Sequence, residues 1–196
     1  MAPMRTDEGA ELALADDIVG QARALSARLL VGLPDRWRHT IAVAERAREL
    51  TGAVNPADCE ILCAAAWLHD VGYAPLIVDT GFHPLDGARY LDGEGWPSRL
   101  CGLVAHHSGA LFVARTLDLG DQMAAYPDER SPVTDALAYA DQTVGFRGEP
   151  LPIEERMADM LRRHGSGSAN ATAHRFRAPY LLAAAHRVQQ RLTLAT

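Results

Sequence analysis

The placement of proline constrains this chain more than any other feature. Pro34, Pro56, Pro84 and Pro132 each stand where an apolar pattern of helical period begins. Proline is favoured at the first helical position because the N–H it lacks would go unpaired there. Asn55 and Ser131 precede two of these prolines as candidate N-caps, while Gly52, Gly109 and Gly145 stand as stops. No segment sustains the two-residue alternation of a half-buried strand. The pattern predicts an all-α chain, with helices over about 10–30, 34–50, 56–72, 84–91, 96–109, 131–145 and 153–165. A short helix and an irregular acidic loop are expected over 111–131, and a C-terminal helix despite Pro179.

A length of 196 residues suits one sizeable core. The expected organisation is an N-terminal helical extension (1–33), a core (34–145) and a C-terminal helical extension packed on the same domain (146–196). A net charge of −6, from 25 acidic and 19 basic residues, gives no broad basic footprint for nucleic acid. Every basic residue apart from histidine is arginine, so a phosphate would meet planar guanidinium forks. The N-terminal "MAPMRTDEGAELALADD" lacks the apolar run of a signal peptide, and no stretch is apolar over the ~20 residues a bilayer span needs. The expectation is a cytoplasmic protein with no membrane partner, and its helical tail allows a homodimer. Cys59, Cys63 and Cys101 are read as reduced core residues, although Cys59 and Cys63 share a helix face.

Against this apolar background stands "AAAWLHDVGYAP", in which an alanine-rich helix ends on an imidazole and a carboxylate, His69 and Asp70. His39, His83, His106, His107 and Asp141 also fall near helix ends or on buried-looking faces. Taken singly, each has an ordinary structural explanation. Burying several unpaired ionisable groups together costs several kcal/mol apiece, so a shared partner is the economical account. Neutral imidazoles and carboxylates suit Fe, Mn, Co, Ni or Zn, and a divalent ion lets them stay buried and deprotonated.

"RWRHTIAVAERA", "WLHDVGY" and "ALAYADQTVG" resemble, in that order, the HD superfamily of metal-dependent phosphohydrolases. That family sets a histidine, a His-Asp dipeptide and a distant aspartate on helices. The resemblance implies an HD-type helical bundle over about 34–145 with His39, His69, Asp70 and Asp141 as metal ligands. Some HD families hold a second ion with two further histidines; this role passes to His83 in "HPLDGA" and to His106 in "VAHHSG", with His107 as rival or additional ligand. The arrangement is partly similar to the symmetrical dinucleoside-tetraphosphate hydrolases, where Arg147 would match an arginine six residues after the final aspartate. The Glu-Pro of that family is absent from "DQTVGFR", and Tyr73 stands where many HD proteins carry lysine.

The resemblance implies one or two divalent ions and hydrolysis of a small phosphorylated substrate, a nucleotide included, with Asp70 shared between the ions. Arg147 and Arg89 are the candidate phosphate grips, Tyr73 a candidate hydrogen-bond donor, and Asp86 a candidate proton donor or orienter of an imidazole. Two other readings stay open: a di-iron oxygenase using the same ligands, and a metal-retaining module without turnover. His164, His174 and His186 are read as solvated.

Overall fold

The computed structural model describes residues 17–194. Within them α1 (Ile18–Leu30) is capped by the Asp17 carboxylate, which accepts from Gly20 N–H. The expected helix start near residue 10 lies outside the described residues. Helix α2 (Pro34–Glu49) carries Pro34 in its first turn. Instead of one helix over 56–72 there are three pieces: a 3-10 turn at Pro56–Asp58, α3 (Cys59–Leu68), and a second 3-10 turn at Val71–Tyr73. Asn55 makes no side-chain cap. The break falls at Asp70, at φ −108 and ψ 7, while His69 before it keeps helical dihedrals.

Next come α4 (His83–Gly93) and α5 (Ser98–His106), a 3-10 turn at His107–Gly109, α6 (Ala110–Thr116) and the one-turn α7 (Gly120–Met123). Helix α8 (Pro132–Gln142) opens on a reciprocal capping box, Ser131 accepting from the Thr134 N–H and Thr134 from the Ser131 N–H. An isolated antiparallel bridge, Val144 to Pro150, follows it, and no strand occurs among the described residues. Helix α9 spans Ile153–His164, and α10 runs over Ala169–Leu194, straight through Pro179. The fold is all-α.

Helix α3 is the central element, packed against α1, α2, α5 and α8. Its alanines and leucines, with Val43, Leu91, Leu100 and Leu137, build the main core. After residue 145, Ile153, Met157, Leu181 and Ala185 bury against Ala138, and Val188 joins the main core. Arg187 binds the buried Asp135 carboxylate through two nitrogens, at 2.9 and 2.5 Å, and Arg191 adds a bond at 2.7 Å.

One close approach fixes the site. The 3-10 turn at Val71–Tyr73 lies against the first turn of α4 so tightly that a Cβ on Gly72 would stand 1.9 Å from the His83 carbonyl oxygen. Glycine at position 72 therefore sets the spacing between His69-Asp70 and His83. No described helix is long and apolar enough to cross a membrane.

Candidate metal centre

The ring nitrogens reveal the logic of the site. His39 Nδ1 donates to the Gly145 carbonyl at 2.9 Å, and His69 Nδ1 to the Ala66 carbonyl at 2.8 Å. His107 Nδ1 likewise donates to the Val104 carbonyl at 2.6 Å. A carbonyl only accepts, so in each neutral ring the proton sits on Nδ1 and the Nε2 lone pair is bare. These nitrogens face other imidazoles: His39 Nε2 and His69 Nε2 are 3.4 Å apart, and His107 Nε2 lies 3.3 Å from His83 Nε2. Lone pairs held at such distances repel unless a proton or a metal ion lies between them.

Asp70 joins the two pairs. Its Oδ2 lies 3.3 Å from His69 Nε2 and 3.6 Å from His39 Nε2, while its Oδ1 lies 3.3 Å from His83 Nε2. Two triads able to hold a metal result, His39-His69-Asp70 and Asp70-His83-His107, sharing one carboxylate. Asp141 meets the first triad through Oδ1, 3.1 Å from His39 Nε2. Its Oδ2 is occupied by the Ser108 hydroxyl and by Gln142 Nε2 at 2.8 Å. The donor set, imidazole nitrogens fixed by carbonyls and carboxylates fixed by hydrogen bonds, fits a divalent ion of the Fe, Mn, Co, Ni or Zn kind.

Electrostatics prepares the same groups. Burial alone would raise the Asp70 carboxyl, but the Arg36 guanidinium at 2.6 Å, with His69, holds it well below the usual carboxylate range. Burial would also raise Asp141, and the His39 hydrogen bond and charge outweigh it. Burial pushes His107 down to about 3, with His69 and His83 adding to the effect. For His69, burial lowers the pKa but the Asp70 charge and hydrogen bond more than compensate, and the net shift is upward.

Three expected members take other places. His106 turns away, its Nε2 donating to the Tyr126 carbonyl at 3.1 Å. Helix α5 ends between the two histidines, where His107 adopts φ −55 and ψ 147, so His107 alone reaches the site. Arg147 is exposed on the turn closed by Gly145 N–H to Glu149 O at 2.6 Å, and it does not line the site cavity. Arg89 is bound to Asp79 at 2.6 Å and Gln122 at 2.5 Å, outside that cavity. Six positions along a helix from His83 correspond to a rotation of ~240°, which turns Arg89 from the face His83 uses.

Asp86 is buried but acts on the backbone. Its two oxygens accept from the N–H groups of Asp79, Thr80 and Gly81 at 3.2, 2.9 and 3.0 Å, and from the Thr80 hydroxyl at 2.7 Å. It fastens the loop that delivers His83 and does not line the site cavity. Tyr73 lines the cavity, its ring stacked on His83 at 4.0 Å and facing the Arg36 guanidinium at 4.0 Å. Burial, aided by Asp70, pushes its hydroxyl up to about 12, so it remains a neutral donor.

The cavity over the site measures about 350 Å³ and is bordered by Arg36, Arg156, Arg163 and Arg177. None of the four is evident as a site residue in the sequence except through one signal: Arg36 lies three positions before His39, on the same helical face. His164, read as solvated, stands at this cavity as well, its pKa lowered by burial and then by the neighbouring arginines.

No curated protein and no solved structure matches the chain. The family model for the HD domain matches residues 36–164, more than half of the sequence, and takes in α9 beyond the expected boundary at 145. With its ordered His, His-Asp and Asp residues gathered around a shared carboxylate, the chain belongs to the HD domain family, which is of the metal-dependent hydrolase type.

Proposed function

We propose that the protein is a metal-dependent phosphohydrolase acting on a small phosphorylated metabolite, nucleotides included. One observation carries the reading: a carboxylate shared by two imidazole pairs opens into a cavity bordered by four guanidinium groups. Carboxylates gather cations, and arginines gather oxyanions. A phosphoryl substrate uses both at once.

His39, His69 and Asp70, with Asp141, would hold one ion, and Asp70, His83 and His107 the other. Divalent ions so held supply Lewis acidity towards water and towards phosphoryl oxygens. Arg36, already on Asp70, lies beside the reacting phosphoryl group and offers its remaining N–H donors to the charge that grows on those oxygens. Tyr73 donates one neutral hydrogen bond from the cavity wall. Gly145, Ala66 and Val104 carbonyls keep three imidazoles in the ligating tautomer throughout.

The test is a panel of phosphorylated metabolites assayed for phosphate release with Mn, Co, Ni and Fe, in air and anaerobically. Metal-dependent release that is indifferent to dioxygen supports the reading. Turnover that requires dioxygen would assign the ligands to a di-iron oxygenase, and metal uptake without turnover of any compound would leave a binding module.

A further inference from the structure

The four arginines at the cavity differ in what already neutralises them. Arg36 is bonded to Asp70 at 2.6 Å and Arg163 to Asp159 at 2.7 Å. Arg156, buried, spends Nε on the Val144 carbonyl at 2.7 Å, and its nearest carboxylate oxygen, Asp141 Oδ1, is 3.9 Å from Nη2. Arg177 has no bonded carboxylate at all. Its Nε donates to the Ser108 carbonyl at 2.7 Å and its Nη1 to Asn170 Oδ1 at 3.3 Å, both neutral acceptors. Its Nη2 has no hydrogen-bond partner among the described residues. The residue is only 9% exposed and lines the cavity.

A buried guanidinium normally stands against a carboxylate, because desolvating it without one is costly. Here two such groups border one cavity, and each is anchored by Nε to a backbone carbonyl so that its remaining N–H groups are pre-aimed. Burial holds Arg177 below the ordinary arginine range; Asp141 opposes this and the charge of Arg156 adds to it. Four guanidiniums against the carboxylates of Asp70, Asp141 and Asp159 leave one positive charge in excess at the cavity, before any divalent ion is counted. A single phosphoryl dianion drawn to the ions leaves that excess unmet.

Resting on the phosphohydrolase reading, we propose that Arg156 and Arg177 clamp a second oxyanion group of the substrate, phosphoryl or carboxylate, distinct from the phosphoryl group that reacts beside Asp70. The substrate class is then a phosphorylated compound with at least two anionic groups. Arg177 also has a positioning role. It grips the carbonyl of Ser108, which sits at φ 50, while the hydroxyl of that serine bonds Asp141, so the clamp and the ligand set share one turn.

The clamp is testable without metal or turnover. Inorganic phosphate and acetate are titrated calorimetrically, separately, into the full-length protein in EDTA, and into Arg177→Met and Arg156→Met. Saturable binding of either anion that weakens by about tenfold or more in each variant supports the clamp, as expected for losing a charge-assisted fork. Binding that is unchanged in the variants, or no binding to the wild-type protein, overturns it. Because divalent ions are absent, a negative phosphate-release screen would sink the hydrolase reading and leave this result standing. Should Arg177→Met fail to fold, a crystal of the wild-type protein grown with phosphate decides. An anion within hydrogen-bond distance of Arg177 Nη2 and of Arg156 is the expected result, and anion density only elsewhere overturns the clamp.

Discussion

His39 Nε2 and His69 Nε2 face each other at 3.4 Å while the Nδ1 of each ring is tied to a backbone carbonyl. With both rings neutral, two acceptors so placed favour a cation between them, and a second imidazole pair, His83 and His107, stands at the other oxygen of Asp70. Removing different ligands should therefore have different stoichiometric effects. His69→Ala and His107→Ala should each lower the metal content of the saturated protein by one ion. Asp70→Ala should abolish binding of both, and turnover with it. Elemental analysis of the purified variants reads this directly, and an Asp70→Ala protein with full metal content would refute the shared carboxylate.

The pH dependence of metal uptake has a definite sign. The His69 pKa is raised from 6.5 in the folded metal-free protein, so its imidazole must lose a proton before it can ligate. Metal affinity should rise as pH climbs from 6.5 through the elevated value, with release of a proton on binding. His107, pushed down to about 3, contributes no such release near neutrality. The folded stability due to His69 runs the other way: a raised pKa contributes stability that is complete below the unfolded value and is lost as pH rises through the folded one. Calorimetric metal titrations in buffers of different ionisation enthalpy count the protons.

Gly72→Ala should be severe for so small a change. Its Cβ would fall 1.9 Å from the His83 carbonyl oxygen and 2.7 Å from the Gly87 nitrogen, both of them backbone atoms. Overpacking of this kind costs about 1–3 kcal/mol or more, which for a chain of this size lowers Tm by ~2–4 °C per kcal/mol. Because the clash separates His83 from Asp70, metal affinity should drop along with Tm. A thermal melt and a metal titration on one sample check both.

Asp86→Asn separates a structural carboxylate from a catalytic acid. The carboxylate accepts four hydrogen bonds from residues 79–81, and asparagine can keep part of that set. Stability should fall by about 1.5–3 kcal/mol, the range for hydrogen bonds to a charged group. The pH–rate profile should keep its shape while kcat declines modestly. Loss of one limb of the profile would instead assign Asp86 the proton.

Asp135→Ala should loosen the C-terminal helix from the core. Arg187 and Arg191 both end on this carboxylate, but they are partly exposed and can return to water. The loss is accordingly modest, about 1 kcal/mol. Hydrogen exchange should quicken over the second half of α10 before it does over α3.

The helices were legible because their signals are local. Pro34, Pro84 and Ser131-Pro132 mark their starts by backbone chemistry that needs no partner, and the ligand types of His39, His69, Asp70 and Asp141 follow from the improbability of burying them alone. The arginines were not legible in this way. A long cationic side chain reads as a solvated surface residue whether it faces water or a cavity, and Arg156 and Arg177 carry no local mark of the difference.

By itself the sequence determined that the chain is helical, where most helices begin, and which side chains have the chemistry to meet a metal. Tertiary structure alone decided that His107 enters the site and His106 leaves it, through the backbone turn at the end of α5. It likewise turned Arg147 outward, saturated Asp86 with backbone donors, and brought Arg177 from the last helix to the wall of the cavity. The physical reason is one of range. Capping and periodicity act over a turn of chain, whereas the direction of a side chain at a helix end, and the partner that neutralises it, depend on contacts between segments as many as 106 residues apart.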